Sequence, residues 1–179
     1  MSASSSEARR QRENLRRRFL PVHMRLLFIG ESPPASGRFF YHGDSGLYRA
    51  VRDAFRAVDP SITDEGFLTA FRTSGCYLID LCREPVDDLD LRSRRAACQS
   101  GENSLSRTIT RLQPLKIVTV VRSIEANVIR AAFQAGWQGP FLHLPYPGRW
   151  SRHRDVFVET LGASLANAFG ITAVGRLPR

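Results

Sequence analysis

Apolar and polar positions along the chain fall into blocks whose lengths distinguish strands from helices. Four apolar runs are only four or five residues long, which is typical of buried strands and too short for helices. They cover residues 26–29, 77–81, 117–121 and 141–144. Each run is followed or preceded by glycine, proline or charged residues, so each is interpreted as a separate strand.

The stretches between these runs have the three- and four-residue apolar spacing of amphipathic helices. Such stripes occur within residues 45–58, 105–112, 124–132 and 156–169. Strands that alternate with helices predict an α/β fold, here a three-layer α/β/α arrangement with a central four-stranded parallel sheet. Neither an internal repeat nor a linker is visible, so residues 23–179 are interpreted as a single α/β domain.

Residues 1–22 form a basic N-terminal segment that is rich in serine and then in arginine. Leu15 and Phe19 lie four residues apart, which indicates a short helix docked on the domain. Two alternatives remain open from the sequence. The segment is either a frayed tail or an arm that contacts phosphates.

The charge of the chain narrows its choice of partners. The 179 residues carry a formal net charge of +9, and all of the basic residues except Lys116 are arginine. This excess favours a polyanion, and nucleic acid over a membrane, although a merely solvated basic surface is the alternative. No run of 18 apolar residues is present, so we expect no membrane span.

The N-terminal sequence and the cysteines indicate the cellular compartment of the protein. No apolar signal core is found near the N-terminus, and the three cysteines, Cys76, Cys82 and Cys98, are too few for a four-cysteine cluster. Free thiols suit a reducing compartment. We therefore expect a cytoplasmic protein without a metal site.

Ligands of parallel sheets bind outside the carboxyl ends of the strands. This rule selects three segments, residues 30–46, 80–88 and 144–153, which we expect to converge on one cleft. The first contains Glu31 directly after a buried strand, two prolines and three consecutive aromatic residues. Its rings offer a stacking face for a flat ligand, or they belong to the core of a helix-entry loop.

The other two segments contain further candidate residues. Asp80 ends an apolar strand, where a carboxylate is costly unless it is paired or has a task. It is either the structural partner of an arginine or backbone amide, or a group that orients water or binds the polar edge of a base. The third segment is a stiff Pro145–Tyr146–Pro147 turn with arginines beyond it, suited to a phosphate backbone or to a wedge in a base stack.

The order of these motifs resembles the uracil-DNA glycosylase superfamily. "GESPP" looks like the first motif of that family, and "YHGDSG" matches its aromatic-x-Gly-x-x-Gly pattern. "YLIDLCREP" is similar to the strand that usually ends in a base-reading asparagine, and "LPYPGRW" to the second motif. The resemblance covers most of the chain, from about residue 26 to 169.

The resemblance implies a monomeric, cofactor-free DNA base-excision enzyme of bacterial type, associated with the nucleoid. It would hydrolyse the N-glycosidic bond of uracil or a related deaminated base. The base would be flipped out of single- or double-stranded DNA into a pocket. The implied catalytic residues are Glu31, Asp80 and His143. The implied base-binding residues are Gly30, Ser32, Phe39, Phe40 and Tyr41, with Tyr41 as the stacking ring. The implied DNA-binding residues are Pro145, Tyr146, Pro147, Gly148, Arg149, Trp150 and Ser151.

Two positions depart from the pattern of that family. Asp80 stands where the asparagine is usual, and Leu144 takes the place of the second-motif histidine, for which the adjacent His143 is the candidate substitute. A carboxylate only accepts hydrogen bonds, so Asp80 favours a base edge rich in N–H donors, or a catalytic task. Two other functions therefore stay open: a DNA-binding protein without cleavage activity, and a hydrolase of small nucleosides.

Overall fold

The structure is a computed structural model that describes residues 3–148 and 150–170, with side chains from residue 6 onward. Ten regular elements follow one another along these residues. The strands are β1 (Leu26–Gly30), β2 (Cys76–Asp80), β3 (Lys116–Thr119) and β4 (Phe141–His143). The helices are α1 (Ala3–Arg17), α2 (Gly46–Val58), α3 (Phe67–Thr73), α4 (Leu91–Leu112), α5 (Glu125–Gln134) and α6 (Ser151–Phe169).

The four strands form one parallel sheet in the order β2-β1-β3-β4. Helix α2 packs on α6 and helix α4 packs on α5, and these pairs flank the sheet. The predicted α/β fold with a central four-stranded parallel sheet is therefore confirmed. β1 is buried along its whole length, because it pairs with a strand on each side and is covered by helices.

Each observed strand lies within a residue or two of an apolar run. The helices differ more from their stripes: α4 begins at Leu91, well before the stripe at residues 105–112, and α6 begins at Ser151. The short helix α3 was not predicted. Its Phe67 and Phe71 are fully buried, but they lie in a segment with too few turns to show a period.

The N-terminal segment forms the 15-residue helix α1, which lies on the domain. Leu15 and Phe19 pack against the core, as their spacing indicates. Arg9, Arg12 and Arg16 share one face of this helix, and each forms an ion pair with an acidic side chain of the domain. None of the helices in the described ranges is both long and apolar enough to cross a membrane.

Candidate functional site

A cavity of about 220 Å³ opens at the carboxyl ends of the strands. Residues at or beyond the ends of all four strands line this cavity, and so does a residue in the first turn of α4. The lining includes Gly30 and Asp80, which end β1 and β2, and residues from the segments beyond the strands and from α4. These are residues 31–34, Phe39 and Phe40 after β1, Asp87 after β2, Val120 and Val121 after β3, Tyr146 after β4, and Arg94 of α4. The three segments selected from the sequence thus meet at one place.

Glu31 is held in the cavity by an arginine and a thiol. Arg94 donates from Nε to Glu31 Oε1 at 2.7 Å, and its Nη2 donates to Oε2. The Cys98 thiol lies 3.7 Å from Oε1. The Glu31 backbone is fixed as well, because its carbonyl accepts a bond of 2.8 Å from the Cys82 amide, one step beyond β1 and β2. The carboxylate is therefore positioned before any ligand arrives.

The two thiols behind Glu31 are protonated. Cys82 Sγ and Cys98 Sγ lie 3.6 Å apart, and both are free, buried cysteines. Burial raises the pKa of Cys82 to about 12 and also raises the pKa of Cys98. Neutral thiols at neutral pH are weak nucleophiles, so these cysteines support Glu31 and carry no reaction of their own.

Asp80 is held by the N-terminal helix. Arg16 Nη2 donates to Asp80 Oδ2 at 2.7 Å, and both side chains are only 8% exposed. Burial raises the pKa of Asp80, while Arg16 counteracts that rise. Gly30 pairs with Asp80 in the sheet register, and a Cβ at position 30 would lie 2.7 Å from Asp80 Oδ1. The close approach of this carboxylate therefore requires the glycine.

Arg16 is fixed on several sides. It also donates to Glu13 Oε1 at 2.5 Å, and its guanidinium carbon lies 5.4 Å from the centre of the Phe39 ring. Its Nε atom is buried without a hydrogen-bond partner among the described residues. Asp80 is thus the structural partner of an arginine, as one of the two interpretations from the sequence has it, and it also lines the cavity.

The three consecutive aromatic residues have different environments. Phe39 and Phe40 line the cavity, whereas Tyr41 does not. The Tyr41 hydroxyl donates to the Leu78 carbonyl at 3.0 Å and accepts from the Leu78 amide at 2.8 Å, and its ring stacks on Phe19 at 5.2 Å. Because β2 is an edge strand, Tyr41 satisfies backbone groups there that have no strand partner. This makes Tyr41 part of the structural support beneath the cavity.

Short contacts tie the loop after β1 to the loop after β2. The Ala35 amide donates to Asp87 Oδ2 at 2.7 Å, and the Val86 amide donates to Ser32 Oγ at 3.4 Å. Ser45 caps α2 by accepting from the Tyr48 amide. Asp87 thus has both a structural contact and a place in the cavity wall.

The segment after β4 contributes mainly to the outside of the cavity. Tyr146 lines the cavity and is 50% exposed, and Trp150 is 65% exposed, while Pro145 and Pro147 are buried. Gly148 lets the Tyr146 ring pack against the backbone, since a Cβ there would lie 2.1 Å from the ring. Ser151 is exposed at the start of α6, and Arg149 lies outside the described residues.

His143 does not line the cavity. Its Nδ1 atom lies 2.7 Å from Thr119 Oγ1, and its ring stacks on Phe141 with centres 5.6 Å apart. The histidine is half-buried at the end of β4, where the hydroxyl and the ring hold it in place. In this position it is a satisfied strand-end residue.

Exposed arginines lie in the segments that follow the strands. They follow the carboxyl end of each strand in turn and form no ion pair with another described side chain: Arg38, Arg92, Arg95, Arg122 and Arg152. By contrast, the arginines on the inner face of α1 all have acidic partners. The exposed arginines after the strands are available to bind a polyanion, as are exposed arginines elsewhere, such as Arg10 of α1.

Sequence reasoning missed two arginines that hold the carboxylates. Arg94 lies on the face of α4 that continues backward from Ile109 through Leu105, Glu102 and Cys98, so extending that stripe would have found it. Arg16 belongs to the set Arg9, Arg12 and Arg16, whose spacing places them on one helix face. For both arginines the sequence shows the helix face on which they lie, but it does not show the carboxylate with which each of them pairs.

Comparisons with known proteins leave the chain without an assigned family. No protein-family model matches it, and no curated protein matches it. Within the described ranges, no group of three or more His, Cys, Asp or Glu side chains is arranged to hold a metal ion. The chemistry of the site is therefore argued from its own residues.

Proposed function

We propose that this protein is a DNA N-glycosylase, which removes a flipped base from DNA by hydrolysis of the N-glycosidic bond. The observation that carries the proposal is the convergence of all four strand ends on one small cavity, lined by two phenylalanine rings and by two pre-positioned carboxylates. The volume is below the roughly 300–1,000 Å³ of sites for drug-sized ligands, so it suits a ligand as small as a single base. The resemblance of the motifs supports the same function.

The residues divide the chemistry between them. The rings of Phe39 and Phe40 form an apolar wall for the flat base. Glu31 orients the attacking water and stabilises the positive charge that develops on the sugar as the bond breaks. Arg94 keeps this carboxylate in one orientation. The base leaves as its anion and takes up a proton, and the hydroxyl from water ends on the sugar carbon.

The surface around the cavity would hold the DNA. The exposed arginines contact phosphates, and Tyr146 and Trp150 stand where a side chain could fill the gap left by the base. A hydrolase of free nucleosides would have no need of this basic rim. We therefore place DNA ahead of small nucleosides as the substrate, and we expect binding to weaken steeply with salt.

The test is a cleavage screen. Single-stranded oligonucleotides, each with one modified base, are incubated with the protein, and strand breaks are revealed with alkali. We expect cleavage of at least one modified strand, and a loss of about 100- to 10,000-fold in Glu31→Gln. The matched control is Glu159→Gln on the exposed face of α6, which should cleave like the parent protein. The enzyme proposal is wrong if deaminated, alkylated and oxidised bases all stay in place.

A second function is favoured by one observation. Each cavity carboxylate is already neutralised by an arginine, Glu31 by Arg94 and Asp80 by Arg16. Such pairs are also consistent with a protein that binds an extruded base and does not cleave it. In that case the screen would show no breaks, while binding to the same strands would still fall steeply with salt.

A further inference from the structure

The two oxygens of Asp80 have different environments. Oδ2 accepts the bond from Arg16. Oδ1 accepts no hydrogen bond from any described residue. It is not one of the fully buried atoms without a partner, so part of its surface is accessible. It lies beside the backbone of Gly30, and both residues line the cavity. Oδ1 is therefore the oxygen that a ligand in the cavity can reach.

This oxygen is an acceptor. Its carboxylate pairs with a guanidinium, which stays charged at all working pH values, so Asp80 is ionised and cannot donate a hydrogen bond. Arg16 is itself held by Glu13 and by the Phe39 ring. The orientation of Asp80 is thus set by the protein before the base enters.

The other polar groups of the cavity add acceptors more than donors. Arg94 uses its Nε and Nη2 atoms on Glu31. Ser45 Oγ and Asp87 Oδ2 already accept backbone amides. The Ser32 hydroxyl, whose oxygen accepts from the Val86 amide, is left as a donor. The carboxylate oxygens therefore make the cavity favour a ligand that supplies N–H donors.

Resting on the proposed function, we propose that the cavity selects a base that keeps its exocyclic amino group, with Asp80 Oδ1 as the reader and Arg16 as its positioning residue. Cytosine- and adenine-type edges present an N–H₂ donor, whereas uracil and thymine present a carbonyl oxygen at the same position. A carbonyl facing an ionised carboxylate is repelled. The substrate class is thus a base altered on its ring by alkylation or oxidation, rather than one that has lost its amino group by deamination.

The test uses one matched pair of ligands. Two duplexes are identical except for a single 2′-fluorodeoxycytidine or 2′-fluorodeoxyuridine, placed opposite an abasic-site analogue so that neither base is paired. The fluorine suppresses glycosidic cleavage, and dissociation constants are measured by fluorescence anisotropy. We expect the cytosine duplex to bind about tenfold more tightly, because only its amino group satisfies Oδ1.

Variants assign the preference to named residues. Asp80→Asn should bring the two dissociation constants together or reverse their order, whereas Asp88→Asn, on the exposed part of the same loop, should keep the parent ratio. Arg16→Lys should preserve the preference and Arg16→Met should reduce it. The ratio of the two constants is a readout that a general loss of stability does not shift.

The parent protein alone decides the matter, even if a variant fails to fold. Uracil bound as tightly as cytosine, or more tightly, overturns the amino-group proposal and leaves the proposed function standing. If neither duplex binds better than one without an unpaired base, the base does not enter the cavity, and the proposed function fails together with this inference. In the cleavage screen, strands with a ring-alkylated base and strands with a ring-oxidised base then show which of these two kinds of damage the protein removes, since both keep the amino group.

Discussion

The cavity contains two arginine–carboxylate pairs that differ in burial. In the Glu31–Arg94 pair, the carboxylate side chain is 11% exposed and the arginine side chain 37% exposed, and Arg94 grips both oxygens. In the Asp80–Arg16 pair, both side chains are 8% exposed and one bond joins them. The first pair is partly open to solvent, whereas the second is largely buried beneath the N-terminal helix, with Asp80 Oδ1 left on the cavity side.

This difference indicates two kinds of task. A partly exposed arginine can exchange a carboxylate for a phosphate at modest cost, because water screens the change. A sealed pair cannot, since breaking it leaves an uncompensated charge away from water. We therefore interpret Glu31–Arg94 as the adjustable side of the cavity and Asp80–Arg16 as its fixed side.

The largest effect on stability is expected on the fixed side. Arg16→Met keeps the length of the side chain but leaves Asp80 buried and unpaired, so the free energy of unfolding should fall by about 3–5 kcal/mol. Urea denaturation measures it. The matched control is Arg10→Met, on the same helix, where the side chain is exposed and has no ion-pair partner among the described residues. Equal stability of the two variants would contradict the distinction between the pairs.

On the adjustable side, stability and activity should separate. Arg94→Met should lower the free energy of unfolding by only about 1 kcal/mol or less, because the pair is partly screened. Cleavage of a substrate strand should nevertheless drop by about 100-fold, since Glu31 loses its fixed orientation. Arg95→Met changes the neighbouring exposed arginine and serves as the control. A large loss of stability in Arg94→Met would make this pair as structural as the other.

A third pair, outside the cavity, gives the smallest effect and a reference. Glu102 on α4 accepts from Arg130 and Asn127 on α5, and these bonds lower the pKa of Glu102. Its contribution to stability is therefore complete above the unfolded pKa of about 4.3, and it is lost as pH falls through the lower folded pKa. Glu102→Gln should lose less stability on acidification than the parent, in urea titrations between about pH 3 and 6, while Glu159→Gln should follow the parent.

Asp80 should show the opposite sign. Because burial raises its folded pKa, its contribution is complete below the unfolded pKa of about 3.9 and declines as pH rises through the folded pKa. As pH falls, the contribution of Glu102 to the free energy of unfolding thus decreases, whereas the contribution of Asp80 increases. A parent-like acid slope in Glu102→Gln would show that its bonds to α5 are too weak to matter.

The fold was predictable because its signal is local. Each strand is a short apolar run, and burial of β1 on both faces makes that run continuous. The position of the cavity followed from the same information, since parallel strands end at one edge of the sheet. The approximate ends of β1 and β2 therefore sufficed to bring Glu31 and Asp80 to one place.

The partners of these carboxylates were not predictable from local patterns. Arg16 lies 64 residues from Asp80 in the sequence, and Arg94 lies 63 residues from Glu31. The helical period places both arginines on a helix face, but in a chain with so many arginines it does not show which of them meets a distant carboxylate. The same holds for Tyr41, which lies beside two cavity-lining rings but points its hydroxyl at the edge strand.

The docking of α1 has a consequence for how the protein matures. During synthesis Arg16 leaves the ribosome long before Asp80, so it can pair with Glu13 of its own helix but not with Asp80 until β2 has emerged and joined the sheet. The cavity is thus completed when α1, which is synthesised early, pairs with β2, which is synthesised later. A nascent chain interrupted before residue 80 would therefore lack the Arg16–Asp80 pair that holds α1 to the end of β2.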